Sequence, residues 1–390
     1  VGGRREKDAE QTDQIRDTQR QILGDGFMLD SHILNKLRSG CVIPAHPLAL
    51  QSDNRIDERH QRALTRYYLA AGAGGLAVGV HTTQFAIHEP KVGLYRPVLE
   101  LAIETARKST ILSLGTPYGA AVSDEPIMIA GIVGDTKQAM HEACLARELG
   151  YHIGLLLLTA LKGKSIDELI GHSRQVAEII PVMGFYLQQT ISQMTLPEKF
   201  WQKFVAIPNV HAIKIAPFNR YQTLDVLEAV ARSGRASEIA LYTGNDDNII
   251  LDLLTRHEFI VNGQPVSLRI AGGLLGQWAC WTQKAVEHLA LIKALRGNNT
   301  PVSHDLLTMA AQLTLANKAI FDAENQFRGC ISGISYVLKQ QGLMKEINSL
   351  DPDEHLSPGQ AERIDSIIRD YPYLTDDEFI KENLKQWLSS

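Results

Sequence analysis

The 390-residue chain has few cysteines, few aromatic residues and almost no net charge. Its four cysteines, Cys41, Cys144, Cys280 and Cys330, lie far apart and form no CxxC pair. That argues against a structural zinc site or a disulfide framework, and makes a reducing, cytoplasmic compartment the expectation. Aromatics make up 6% and the formal charge is −5, so the chain has no basic stripe to recognise nucleic acid. No stretch approaches the roughly 18 consecutive apolar residues of a membrane helix. The opening Val1-Gly2-Gly3-Arg4-Arg5-Glu6 is charged with no apolar run behind it, which does not read as a signal peptide. GxGxxG after the first strand and GxxxxGK[ST] are both absent, so the nucleotide-binding α/β folds lose support. The thirteen histidines form no HxH, HxxH or HExxH pattern, and a metal-dependent aldolase stays a minor alternative.

What the chain does have is 44% hydrophobic residues arranged in a repeating texture from Gly40 onward. Short apolar runs occupy residues 41–44, 75–80, 127–133, 153–158, 182–187, 210–215, 239–242 and 268–271. Their length is that of strands, and most are apolar throughout, as in parallel strands buried on both faces. Amphipathic segments at 57–71, 136–149, 165–180, 221–232 and 276–295 read as helices between them. Eight such units predict an α/β fold, a (β/α)8 TIM barrel over residues 39–300. Residues 1–38 read as an N-terminal extension and residues 301–390 as a C-terminal helical segment. The Gly- and Pro-containing stretch 109–126 is long for a barrel connection and reads as a functional or contact loop.

Barrel active sites sit at the C-terminal ends of the strands. Lys214 stands near the end of the apolar run Val210-His211-Ala212-Ile213-Lys214-Ile215. An amine there is costly to bury as a cation. A neutral amine attacks carbonyls to form a Schiff base. Tyr186 ends the preceding run and is a candidate proton relay. Thr82 and Thr83 end the second run and are candidates for holding a substrate carboxylate or the phenol. His46 and His81 are expected to line the pocket as hydrogen-bonding groups. The ends of the last two runs supply Gly244, Asn245 and Gly272 as candidate substrate-binding positions. Arg220 is a further candidate cation, although arginine is mostly a surface residue.

The combination resembles the dihydrodipicolinate synthase / N-acetylneuraminate lyase family of class I Schiff-base barrels. Gly40-Cys41-Val42-Ile43-Pro44 with Arg55-Ile56-Asp57 is similar to its first strand and helix start. The segment from Ala71 to His81-Thr82-Thr83 resembles its second strand, which ends in Gly-Thr-Thr-Gly-Glu. Ile129-Ala130-Gly131-Ile132-Val133-Gly134-Asp135-Thr136 resembles its third. Tyr186 and Lys214 reproduce its spacing of 28 residues between tyrosine and lysine. Tyr242-Thr243-Gly244-Asn245-Asp246-Asp247 is similar to its Ser-Gly-Asp-Asp element and Ala271-Gly272-Gly273 to its eighth strand. Residues 317–343 resemble the helices that follow its barrel.

The resemblance implies Lys214 as nucleophile, Tyr186 as general acid/base, and Thr82 and Thr83 as carboxylate or tyrosine partners. It implies a small-molecule carbonyl substrate, no external cofactor because the iminium on Lys214 is the electron sink, and a homo-oligomer, dimer or tetramer. There are departures. Gln84-Phe85 replaces Gly-Glu, the fourth strand is followed by Leu158-Thr159-Ala160-Leu161 where the family has Pro-Tyr-Tyr, and Ile191 occupies the place of a carboxylate-binding arginine. The expected activity is therefore a Schiff-base aldolase, synthase or dehydratase acting on a 2-keto acid or related carbonyl compound. A catalytically silent barrel acting as a binding or regulatory protein is the alternative.

Overall fold

The computed structural model describes residues 29–114, 125–298 and 300–389. Most of the 109–126 loop and of the N-terminal extension lies outside the described residues. Eight parallel strands surround a lumen: β1 (Val42–Pro44), β2 (Gly75–Val78), β3 (Ile127–Ile132), β4 (Ile153–Leu156), β5 (Val182–Leu187), β6 (Val210–Ala216), β7 (Ala240–Thr243) and β8 (Gly272–Leu275). Hydrogen-bonded neighbours run β1–β8–β7–β6–β5–β4–β3–β2. The ring closes through the bridge pair Ala45 and Ala77, where the His46 N–H donates to the Ala77 carbonyl at 2.8 Å. The fold is a (β/α)8 barrel followed by helices, as the alternation of runs predicts.

Alternation along each strand sorts the side chains into two cores. Met183, Phe185 and Leu187 of β5, Ala212 and Ala216 of β6 and Tyr242 of β7 share the lumen cluster. Their neighbours Val182, Tyr186, Ile213 and Ile215 face the outer helices. Helix α1 (Ser31–Ser39) stops the N-terminal end of the lumen with Ile33 and Leu37, and the Tyr242 hydroxyl donates to the Leu37 carbonyl at 2.8 Å.

Four of the outer helices begin at a capping side chain. Asp57 opens α2 (Glu58–Ala70), and the next helix is α3 (Tyr95–Leu114). Asp135 opens α4 (Thr136–Leu149), and Ser165 with Glu168 forms a capping box for α5 (Ile166–Ala177). Then come α6 (Glu198–Phe204), α7 (Arg220–Arg232) capped by Asn219, α8 (Ile249–Leu254) and α9 (Thr282–Gly297).

One strand expectation is corrected. Residues 268–271 are not the eighth barrel strand. They straddle the end of an antiparallel hairpin, Arg256–Val261 with Gln264–Arg269, and the start of β8. The hairpin turns at Asn262-Gly263, both with positive φ (51° and 77°), a dipeptide suited to a two-residue turn. Its side chains are only partly covered, so it lacks the apolar continuity that marks the other strands.

The C-terminal segment forms α10 (His304–Ile320), α11 (Cys330–Gln340), α12 (Gln360–Asp370) and α13 (Asp377–Trp387). It returns to the barrel at several places. Asp376 accepts from the Tyr67 hydroxyl at 2.7 Å, where the Phe379 and Trp387 rings of α13 pack on Tyr67 of α2. At the mouth, Gln84 Oε1 accepts from the Ser349 hydroxyl at 2.9 Å and the Leu350 N–H at 2.7 Å. Gln84 holds φ at +69°, a region that favours glycine, so strain at this residue accompanies the anchoring of the tail. Among the described residues no helix is long and apolar enough to cross a membrane. Gln84→Ala removes both anchoring bonds and leaves the Leu350 N–H without its acceptor. It is expected to cost about 1–3 kcal/mol in urea denaturation and to speed proteolytic cutting within residues 345–359; unchanged cutting would show that the tail is held elsewhere.

Candidate active site

The lumen opens at the C-terminal ends of the strands into a cavity of about 50 Å³, room for a few water molecules or a small substrate. Lys214 reaches it from β6. Its residue is 6% exposed, and its Nζ lies 4.3 Å from the centre of the Phe185 ring. Among the described residues no side chain or carbonyl hydrogen-bonds or ion-pairs with that amine. Burial pushes the Lys214 amine down to about 8, and the facing Asp246 carboxylate partly opposes the shift. Gly244 makes room for the lysine stem: a Cβ there would stand 2.7 Å from Lys214 Cε.

His81 and Thr82 line the cavity from the turn after β2, and Gly244 and Asp246 from the loop after β7. His81 is held down at about 4, by burial first and by Lys214 second, so its ring is neutral near pH 7. The Thr82 hydroxyl donates to the Ala45 carbonyl at 2.8 Å. Phe218, Phe321, Phe327 and Cys330 close the outer side. Phe218 and Phe327 meet edge to face at 5.7 Å. Asp246, which sequence reasoning did not single out, is buried, with Oδ1 accepting from the Gln277 N–H at 2.9 Å. Its place in the Gly244-Asn245-Asp246-Asp247 turn after the strand that follows the lysine's own was the available signal. Burial pushes its carboxyl up to about 7.

Five expected site residues are corrected. Tyr186 does not enter the lumen. Its ring packs on Trp201 of α6 at 5.3 Å and its hydroxyl accepts from the Leu196 N–H at 3.3 Å. The cause is a register shift between β5 and β6. Val182 pairs with Val210 but Met183 with Ala212, so His211 is an extra residue and Phe185, not Tyr186, stands across from Lys214. Thr83 has no capacity left for a substrate, because its hydroxyl donates to the His46 carbonyl and accepts from the Gly79 and Val80 N–H groups. His46 lies beneath the rim with no exposure, its Nδ1 2.8 Å from the Pro47 carbonyl and its Nε2 2.9 Å from the Thr65 hydroxyl. Gly272 begins β8 instead of ending a strand and packs against the Cys41 backbone, away from the mouth. Asn245 is buried and holds the Phe218 N–H with Oδ1 at 3.0 Å and Asp252 with Nδ2 at 2.9 Å, so it positions Phe218 without reaching the cavity. Arg220 is paired with Asp252 as well. His88 is paired with Glu142, and among the described residues no three His, Cys, Asp or Glu gather as metal ligands.

No protein-family model matches the chain. The 4-hydroxy-tetrahydrodipicolinate synthases of Bifidobacterium longum strains DJO10A and NCC 2705 are 24% identical to it over 230 residues, 58% of this chain and 66% of theirs. The match thus spans just under two thirds of those relatives. The same fold appears in the chloride-inhibited dihydrodipicolinate synthase of Acinetobacter baumannii complexed with pyruvate (17% identity, TM-score 0.66, 85% of this chain and 98% of that one). It appears in the N-acetylneuraminate lyase of Fusobacterium nucleatum (14%, 0.62, 85% and 99%). It appears too in a prophage protein of the dihydrodipicolinic acid synthase family from E. coli K12 with pyruvate bound (15%, 0.65, 84% and 97%). The chain is similar to the dihydrodipicolinate synthases and shares the fold of the synthases and N-acetylneuraminate lyases. Its divergence is sharpest at Phe185, which presents a ring without a hydroxyl where the resemblance leads one to expect a tyrosine beside the lysine.

Tyr186→Phe is expected to leave any chemistry at Lys214 unchanged and to destabilise the fold by about 1–3 kcal/mol, because the Leu196 N–H loses its acceptor. Chemical denaturation beside an assay of Lys214 modification checks both halves; a modification rate that collapses while the fold persists would return Tyr186 to the site.

Proposed function

We propose that the protein is a Schiff-base-forming carbon–carbon or carbon–oxygen lyase that acts on a 2-keto acid or related carbonyl compound through Lys214. One observation carries the reading: a buried amine, shifted toward its neutral form and free of hydrogen-bond and ion-pair partners among the described residues, faces a small cavity at the strand ends. Similarity to the synthases and the pyruvate bound to two of the structural neighbours support a short keto acid.

Lys214 adds to the carbonyl carbon and loss of water leaves an iminium on the lysine. The iminium withdraws electrons from the adjacent bond, so a neighbouring carbon–carbon bond breaks to leave an enamine, or an α-proton leaves to give an enamine that takes up a proton at its β-hydroxyl and expels it as water, leaving an unsaturated iminium. No added cofactor is needed for that step. Gly244 keeps the lysine stem in place, and the phenylalanine rings at the mouth limit water access. The second reading is a barrel that binds a carbonyl compound without turnover, which the outward position of Tyr186 favours.

Borohydride reduction with a panel of short keto acids including pyruvate, followed by peptide mass spectrometry, tests the proposal. The expected outcome is an adduct on Lys214 that Lys214→Ala abolishes. Adduct formation should fall as pH is lowered through about 8, because the amine is then captured as ammonium. Binding of a panel member with no adduct at any pH would favour the second reading.

A further inference from the structure

We propose that Asp246 is the acid–base residue of this site, carrying the protons that a tyrosine on β5 would otherwise carry. The inference rests on Lys214 forming a Schiff base. That reaction moves protons at three points, so a lumen without a phenol needs another carrier. Apart from Lys214, the titratable groups that line the cavity are His81, Cys330 and Asp246. His81 is held neutral, so near pH 7 it has no imidazolium proton to give. Burial holds the Cys330 thiol well above its usual range, and it remains a thiol.

Asp246 differs in geometry. Its loop is fixed by the Asn317 amide, which donates to the Asp246 carbonyl at 2.7 Å, and by the Thr314 hydroxyl, which donates to the Asp247 carbonyl at 3.0 Å. Gln277 N–H fixes Oδ1, while Oδ2 accepts no hydrogen bond from another described residue. The groups that face this carboxyl are Lys214 from β6, Asp247 from its own loop and Cys330 from the start of α11, with His81 beyond Lys214. Burial places the carboxyl where it can both give and take a proton near neutrality.

The protons balance as follows. The neutral Lys214 amine forms a bond to the carbonyl carbon as protonated Asp246 gives its proton to the carbonyl oxygen. The Asp246 carboxylate then takes a proton from the new ammonium nitrogen, leaving a neutral carbinolamine. It returns that proton to the hydroxyl, the carbon–oxygen bond breaks, and water leaves. The products are an iminium on Lys214 and a carboxylate facing it. In an aldol cleavage that carboxylate takes the proton of the substrate's β-hydroxyl as the carbon–carbon bond breaks and its electron pair moves into the iminium.

The test compares borohydride trapping of pyruvate or the best panel substrate by wild type, Asp246→Asn and Asp246→Glu. Asparagine keeps the Oδ1 acceptor for Gln277, and circular dichroism checks folding. We expect Asp246→Asn to form the Lys214 adduct about 10²-fold or more slowly, and Asp246→Glu to recover part of that loss. A role confined to charge predicts the opposite sign, since removing a carboxylate leaves more of the lysine neutral. A loss of tenfold or less in Asp246→Asn, or a gain, overturns the proposal. Wild type gives a second test that needs no variant: its trapping rate should fall again above pH 8 as the carboxyl loses its proton, and a plateau there overturns the proposal. Absence of any adduct in wild type instead overturns the Schiff-base reading on which this one rests.

Discussion

Lys214 is the point from which the rest of the mouth can be understood. An ammonium taken out of water costs several kcal/mol even in a relaxed protein interior. Here the cost is met in three ways. The amine shifts toward its neutral form. The Phe185 ring lies under Nζ, an interaction worth about 0.5–2 kcal/mol to whatever fraction stays charged. Asp246 faces it across the lumen without an ion-pair contact. A direct ion pair would hold the lysine as ammonium and remove its nucleophilicity. With the two groups apart, burial shifts each toward its neutral form, lowering the amine's pKa and raising the carboxyl's.

That balance requires a dry mouth, and the C-terminal segment supplies much of its cover. Phe321 ends α10, Phe327 lies in the connection to α11, and Cys330 begins α11. The connection is held by Asp322, whose Oδ2 accepts from the Ser357 hydroxyl and the Gly329 N–H, and by Gln360, whose amide donates to the Ile320 and Gly329 carbonyls. The tail thus fixes the turn that places Phe321 and Phe327 on the wall of the cavity. Gln84, on the opposite rim, anchors the same tail through residues 349 and 350. The tail is thus held at both rims by polar contacts, and the positive φ of Gln84 accompanies one of them.

Much of this was legible in the sequence, and the failures share a cause. The barrel, seven of its strand positions and Lys214 follow from continuous apolar runs interrupted by one lysine. The phase of β5 does not follow, because period-2 alternation says that Phe185 and Tyr186 face opposite ways but not which of them faces in. A spacing of 28 residues seemed to decide it, and one extra residue at His211 reversed the answer. Gly272 was misplaced by the same kind of error, since the hairpin extended the chain ahead of β8; the Asn262-Gly263 turn was the signal that could have corrected it. Thr83 and His46 show a different limit. Both lie in the right neighbourhood, yet their polar atoms are already committed to neighbouring groups, and saturation of that kind can be counted only in three dimensions.

The departures from the family pattern also form a consistent set. Where the resemblance leads one to expect a carboxylate-binding arginine, Ile191 lines the cavity, and Arg220 is engaged with Asp252. The remaining outer wall is Phe218, Phe321 and Phe327. A second carboxylate on a substrate would leave water there without a cation to receive it, since His81 is neutral and the proposed Schiff base engages Lys214. The same burial that disfavours such a substrate raises the Asp246 carboxyl to about 7. Loss of the arginine and loss of the inward phenol are therefore linked: an apolar mouth removes the partner for a dianionic substrate, and it raises a buried carboxyl into the range where it can take over a phenol's work.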